Sequence, residues 1–281
     1  MILNLVRSVL LLFCHTSLSI ATDNVPVASV EATTFLTNGV TAHRGNSSEF
    51  PENTMSAFQS GIDVGADWLE LDILRTQDGQ LVVIHDETTQ RVGDCDLAVT
   101  ESTYDDLTKV DIATDFRRRT GKTLNECQPQ TIPLLKDVLG LVMKQKRTRV
   151  SIQPKMDCVA DAVAMIKEMN AEKCVGFNDG NLKYMAEVKQ LAPDIPVFWD
   201  RGKDTNIDDD ISIAKKHGFE ALVLHHEGIT SDKVQKIKSA GMEVGAWTVN
   251  DGNTMKRLLE TGVERLYTDN PRLLLSLKTK E

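Results

Sequence analysis

The chain predicts an α/β fold, a (β/α)8 TIM barrel with a small capping insertion after the second strand and its hairpin. Three observations lead there. Residues 39–281 remain once an N-terminal segment is set aside, close to the roughly 250 residues of one such barrel. From Ile132 on, short β-rich runs alternate with segments of helical period, the pattern of parallel strands joined by crossover helices. Asp78-Gly79 between two β-rich runs marks one hairpin, and the polar stretch after it is too long for a bare loop.

Residues 1–21 read as a secretory signal. Arg7 gives a weak positive start, Val9 to Cys14 with Leu18 an apolar core, and Ser19-Ile20-Ala21 a small-x-small cleavage site. The segment is too short and too interrupted to span a bilayer. Phe13 is bulky where a lipoprotein signal wants a small residue before Cys14. The expected location is therefore secreted or periplasmic, with no stable membrane insertion after cleavage. Residues 22–38 form a polar, β-branched arm.

Val40-Thr41-Ala42, ending at His43, is the first strand, and Trp68 to Leu74 the second. Between them Asn53 suits a helix N-cap, with Gly61 and Gly65 bracketing the helix exit. Val82 to Asp86 is the hairpin's return arm. Residues 88–130 are the capping insertion, with Cys95 and Cys127 near its ends. In an exported protein these two are expected to form a disulfide. Arg117-Arg118-Arg119 within it reads as a solvated face rather than a phosphate site. Further strands are expected at Arg149 to Gln153, Cys174 to Phe177, Pro196 to Trp199, Ala221 to Leu224, Val244 to Trp247 and Arg265 to Thr268. Helices are expected at Leu134 to Lys146, Val159 to Met169, Leu182 to Leu191, Ile207 to His217, Ser231 to Ala240 and Asn253 to Glu260. Eight parallel strands result, with the return arm as an antiparallel extra.

The chemistry concentrates between His43 and Asp86. Side chains two apart on a strand share a face, about 6.5–7 Å apart, so Glu70 and Asp72 point one way and Leu71 and Ile73 the other. A two-residue Asp78-Gly79 turn would set Asp72 opposite His85 across the ladder. Acids inside so apolar a strand need a partner. A hard divalent cation, Mg²⁺ or Ca²⁺, is the natural one, and an imidazole beside it can move a proton. In a barrel of this kind the chemistry sits at the strands' C-terminal ends, where His43, Glu70, Asp72, Gln153, Lys155 and Trp247 fall.

These motifs resemble the signature of the glycerophosphodiester phosphodiesterase family. The resemblance runs through His43-Arg44-Gly45, Pro51-Glu52-Asn53-Thr54, Gly65-Ala66-Asp67, Glu70-x-Asp72, Thr76-x-Asp78-Gly79 and Val83-x-His85-Asp86. It continues through Thr131 to Leu135, Trp247 to Asn250 and Thr268 to Pro271. It implies hydrolysis of small glycerophosphodiesters to sn-glycerol 3-phosphate and an alcohol, with one divalent cation and with His43 and His85 as acid and base. Arg44 suits bidentate contact with phosphate, Lys155 shares a face with Gln153 and can reach it, and Trp247 can pack on glycerol carbons or fill the barrel rim. One departure stands out. The family usually carries a third acid in a Glu-x-Lys pattern where this chain has Gln153-Pro154-Lys155. Gln153 can ligate through its amide oxygen but brings no charge, so weaker cation binding is expected. Pro154 is odd in a parallel strand, where it removes a ladder donor.

Composition sets limits on the alternatives. The net charge of -9 is spread along the chain, so there is no basic footprint for nucleic acid. An acidic protein that binds an anionic diester must build its positive potential locally. The competing readings are a lipid phosphodiesterase of lysophospholipase D or sphingomyelinase D type, a phospholipase C-like lyase, and a barrel that binds without catalysis. No apolar membrane-inserting loop favours the lipid readings, and Glu70-x-Asp72 with both histidines argues against the last. No His-x-His motif supports a dinuclear hydrolase.

Overall fold

Runs of apolar and β-branched residues three to eight long become the strands of one sheet. In the computed structural model, which describes residues 35–278, the first strand is β1 (Val40–Ala42), followed by helix α1 (Met55–Val64) and strands β2 (Trp68–Arg75) and β3 (Leu81–Val83). The barrel continues through β4 (Arg149–Pro154), β5 (Val175–Asp179), β6 (Val197–Arg201), β7 (Ala221–His225), β8 (Glu243–Trp247) and β9 (Arg265–Thr268). β9 pairs with β1 and β1 with β2, all parallel, which closes eight strands into a barrel. β3 lies antiparallel on β2 at Ile73–Arg75, beyond the point where β1 ends.

Helices cover the outside. After α1 come α2 (Tyr104–Leu107) and α3 (Thr114–Thr120) of the insertion. The crossovers are then α4 (Leu135–Gln145), α5 (Val159–Glu168), α6 (Leu182–Leu191), α7 (Ile207–His217), α8 (Ser231–Ser239) and α9 (Gly252–Glu260). A tenth helix, α10 (Pro271–Lys278), was not anticipated, although Pro at a first helical position is a start signal. The odd-numbered β2 residues Leu69, Leu71 and Ile73 join the main core beneath these helices, and all three are fully buried. Trp68, Phe198 and Tyr267 fill the floor of the barrel interior. The insertion has its own small core, in which Val92, Val99, Leu107, Val110 and Ile112 pack on Leu74, Val82 and Ile84 of the hairpin.

Several expectations need correction. The hairpin loop has three residues, not two. Gly79 sits at φ +80, Thr76 N donates to Gln80 O, and Ile73 pairs with Val83, the type I turn with a left-handed glycine that such loops adopt. The register therefore shifts by one, and Asp72 O accepts from Ile84 N rather than facing His85. The N-cap of α1 is Thr54, whose side chain accepts from Ala57 N, while Asn53 is held at φ +55. Cys95 and Cys127 are both free thiols. The insertion is braced instead by Arg117, which binds Asp111 at 2.5 Å and Cys127 O at 3.3 Å.

Pro154 needs no bulge. In β4 the odd-numbered amides point at β2, as Arg149 N and Lys155 N show by donating to Asp67 O and Ile73 O. The missing donor of Pro154 thus faces β5, beyond the last β4–β5 pair at Ile152 and Phe177. The expected signal segment and most of the expected arm lie outside the described residues. Of the arm's end, Leu36 N donates to Arg147 O at 2.9 Å. Among the described residues no helix is long and apolar enough to cross a membrane.

Candidate active site

The site begins with a backbone reversal at the end of β1. Arg44 and Gly45 both adopt left-handed φ, +58 and +80. A Cβ on Gly45 would sit 2.7 Å from the Ala57 carbonyl carbon, so only glycine lets this turn lie against α1. The turn aims Arg44 N at Glu70 Oε2, 3.0 Å away. Asn53 N donates back to Arg44 O, and Arg44 Nη1 reaches Glu52 Oε1 at 2.8 Å. The Pro51-Glu52-Asn53-Thr54 segment thus holds the loop that carries Arg44. Asn46 in the same loop opens an Asn-Ser-Ser glycosylation sequon, but it is fully buried and cannot take a glycan.

Glu70 and Asp72 both project into the barrel and are buried. Asp72 Oδ2 accepts from Asn53 Nδ2 at 2.9 Å, and Arg44 Nε lies 3.4 Å from the same oxygen. Asp72 Oδ1 has no hydrogen-bond partner, with Lys155 Nζ 3.4 Å away. Burial and the charge of Asp72 push Glu70 up to about 7. Across the ladder Gln153 pairs with Asp72. Its Oε1 accepts from Lys155 Nζ at 3.0 Å and its Nε2 donates to Asp200 Oδ2 at 3.3 Å. Asp200, on β6, is pushed up to about 8 by burial.

Each imidazole is braced by a carboxylate through Nδ1. His43 meets Asp269 Oδ1 at 2.7 Å, and His85 meets Asp86 Oδ1 at 2.5 Å. Ser47 Oγ and Asn250 Nδ2 donate to Asp269 and orient it. Arg91, from the insertion, donates to Asp86 Oδ2 at 2.5 Å and to both oxygens of Glu52 at 2.7–2.8 Å. One arginine thus ties the His85 side of the site to the Arg44 side. The two rings feel opposite environments. Burial alone would lower His43, but Glu70 and the Asp269 hydrogen bond outweigh it and raise the ring. Burial lowers His85, reinforced by Arg44 and Lys155 against the pull of Asp72 and Asp86.

All eight anticipated residues (His43, Arg44, Glu70, Asp72, His85, Gln153, Lys155 and Trp247) surround one place. Seven of them line a cavity of about 460 Å³, and Asp72 lies just beneath it. Trp247 is held at the rim by its Nε1 donating to Val223 O, with the His225 ring edge-on to it at 5.0 Å. A second depression of about 670 Å³ continues past His43 and Arg44 and is lined by Arg91 and Arg119. Of the arginine run, Arg117 and Arg118 are taken up by Asp111 and Asp115, and Arg119 Nη2 donates to Ser47 O. Sequence reasoning missed Asp200 and Arg201, because the sixth strand was ended at Trp199, two residues early. It named no role for Asp86 or Asp269, although each lies in a quoted motif, and gave Asn53 only a helix N-cap role. For Arg91 only a cation six residues after His85 was on offer as a signal.

Known proteins give this geometry a class. A model of the glycerophosphoryl diester phosphodiesterase family matches residues 43–273. A glycerophosphodiester phosphodiesterase of Caldanaerobacter subterraneus is 30% identical over 245 residues, covering 86% of this chain and 98% of its own. Such matches make the protein a phosphoric diester hydrolase. Solved structures agree on the fold. A phosphodiesterase from Oleispira antarctica, determined with the product sn-glycerol 3-phosphate, superposes with a TM-score of 0.74 at 22% identity, over 86% of this chain and 96% of its own. A glycerophosphodiester phosphodiesterase from Agrobacterium tumefaciens superposes with a TM-score of 0.72 at 20% identity, over 85% and 99%. The chain belongs to the glycerophosphoryl diester phosphodiesterase family.

Proposed function

We propose that the protein hydrolyses small, water-soluble glycerophosphodiesters to sn-glycerol 3-phosphate and an alcohol, with His43 and His85 as the acid–base pair. The observation that carries the reading is the pair of imidazoles on one cavity. Each has Nδ1 committed to a carboxylate, which fixes tautomer and ring orientation and leaves Nε2 for proton transfer. One ring takes the proton of the attacking hydroxyl as its oxygen bonds to phosphorus. The other protonates the departing alkoxide. Arg44 and Lys155 line the same cavity and would bind the non-bridging phosphoryl oxygens, where negative charge grows. Trp247 would pack on the glycerol carbons.

The residues present also fit one divalent cation, Mg²⁺ or Ca²⁺. Glu70 and Asp72 are two buried acids on one face, and Asp72 Oδ1 lacks a hydrogen-bond partner. A buried carboxylate oxygen left without a hydrogen bond is costly, and an all-oxygen donor set of these two with the Gln153 amide suits a hard ion. When bound, such an ion acts as a Lewis acid on the phosphoryl group. The product in the Oleispira antarctica relative supports a glycerol phosphate in this cavity. Residues 1–21 support export, and the mature protein would begin at Thr22.

Incubation with glycerophosphocholine, glycerophosphoethanolamine or lysophosphatidylcholine, with Mg²⁺, Ca²⁺ or chelator, tests the reading by product identity. Glycerol 3-phosphate from the soluble diesters, lost with chelator, is expected. Product from the lipid alone, or none under any condition, would overturn it.

A further inference from the structure

The position where the family resemblance leads one to expect an acid is neutral here, yet a carboxylate reaches it from two strands away. Asp200 Oδ2 accepts from Gln153 Nε2 at 3.3 Å and from Asn178 Nδ2 at 3.1 Å. Asp200 Oδ1 is buried with no hydrogen-bond partner. The neighbouring Arg201 does not neutralise it. That guanidinium donates to Asp210 and Thr205 and lies 4.0 Å over the Trp199 ring. Asp200 nevertheless lines the cavity shared by Glu70, Gln153 and Lys155.

The amides around Asp200 are oriented by this contact. Ser151 Oγ donates to Asn178 Oδ1 at 2.6 Å, which leaves Nδ2 for Asp200. Gln153 likewise turns Nε2 to Asp200 Oδ2. Its Oε1 is left facing Lys155, whose ammonium lies against Asp72. Oxygen, not nitrogen, is thereby presented to the acids of β2. A buried carboxylate with an orphaned oxygen costs stability unless a cation or a donor arrives.

We propose that Asp200 supplies the third acid of the cation site, the one Gln153 lacks, and holds Gln153 with its amide oxygen towards Asp72. The inference rests on the cation reading above. It makes Asp200 a positioning residue with a charge, not a catalytic residue. The acid has moved from β4 to β6, and the amide bridges the gap.

The test is calorimetric titration of the full chain with Mg²⁺ and with Ca²⁺, together with melting temperatures in chelator. Asp200→Asn should weaken binding at least tenfold while leaving the chelated melting temperature equal or higher, since a neutral amide replaces an unpaired buried acid. Adding Gln153→Glu to Asp200→Asn should restore affinity to within about threefold of the parent, because the charge returns to β4. Gln153→Glu alone should gain less than it gains in the Asp200→Asn background, where the new carboxylate no longer faces another acid. Unchanged affinity in Asp200→Asn, no recovery in the double variant, or a lowered chelated melting temperature would each overturn the inference. Failure of the parent chain to bind either ion would remove the cation reading itself, whereas parent binding with an indifferent Asp200→Asn removes this inference alone.

Discussion

Glu52→Gln isolates the charge that ties the insertion to Arg44. Glu52 receives Arg44 Nη1 and both terminal nitrogens of Arg91 at 2.7–2.8 Å. Burial opposes its ionisation, yet the two guanidinium groups overcome this and hold the carboxyl at about 2, against an ordinary 4.5. A difference of that size corresponds to about 3 kcal/mol at neutral pH. Glu52 is 17% exposed and Arg91 42%, so solvent screening brings the expected loss down to about 2 kcal/mol. The sign follows from the depressed value. The unfolded chain takes up the proton first as pH falls, so the stabilisation is whole above the ordinary 4.5 and disappears as pH falls through about 2. Urea denaturation followed by tryptophan fluorescence should show a gap of about 2 kcal/mol between parent and variant at pH 7, and less than half of it at about pH 3. The same gap at both pH values would refute the electrostatic argument and leave a packing effect in its place.

Replacing His43 or His85 with Ala should each reduce kcat by about 10² to 10⁴-fold, with melting temperatures close to the parent's; retained turnover in either variant would remove that ring from the chemistry. Leu69→Ala should cost about 2–5 kcal/mol in urea denaturation, because Leu69 is fully buried under α1 in the main core, and a loss under about 1 kcal/mol would contradict that packing. Dithiothreitol should leave the melting temperature unchanged, since Cys95, Cys127, Cys158 and Cys174 are free; a clear drop would show a bridge that these thiols do not form here.

What sequence could reveal followed from periodicity, and what it missed lay across the barrel. Helix α7 falls at the expected Ile207–His217 and α6 at Leu182–Leu191, because apolar spacing and an Asn cap act within a few residues. Glu70 and Asp72 were legible for the same reason, being two apart on one strand. The hairpin register departs by one residue because Asp-Gly ordinarily marks a two-residue turn, whereas Gly79 closes a longer loop. The site survived the slip because His85 lies past the end of β3, where the ladder no longer dictates its direction. Asn53 shows a different limit. Propensity favours Asn over Thr as an N-cap, but Asn also tolerates a left-handed backbone, and here that conformation aims its amide at Asp72. The brace between His43 and Asp269 spans 226 residues, a distance over which no local pattern can speak.

The placement of charge explains how an acidic chain can serve an anionic diester. The protein carries a net -9, and the innermost layer of its cavity adds Glu70, Asp72 and Asp200. Those acids alone would repel a phosphate. Arg44 and Lys155 line the same cavity and offset them, each within 3.4 Å of an Asp72 oxygen. The deep acids therefore anchor the cations, and the cations present the positive surface. Arg44 is anchored a second time through Glu52 and Arg91, so its guanidinium is fixed before any ligand arrives and little ordering is left to be done on binding. A buried acid in such a layer acts through what it holds. On the inference above, an acid on β6 can serve in place of one on β4, provided that an amide of the right orientation stands between it and a bound ion.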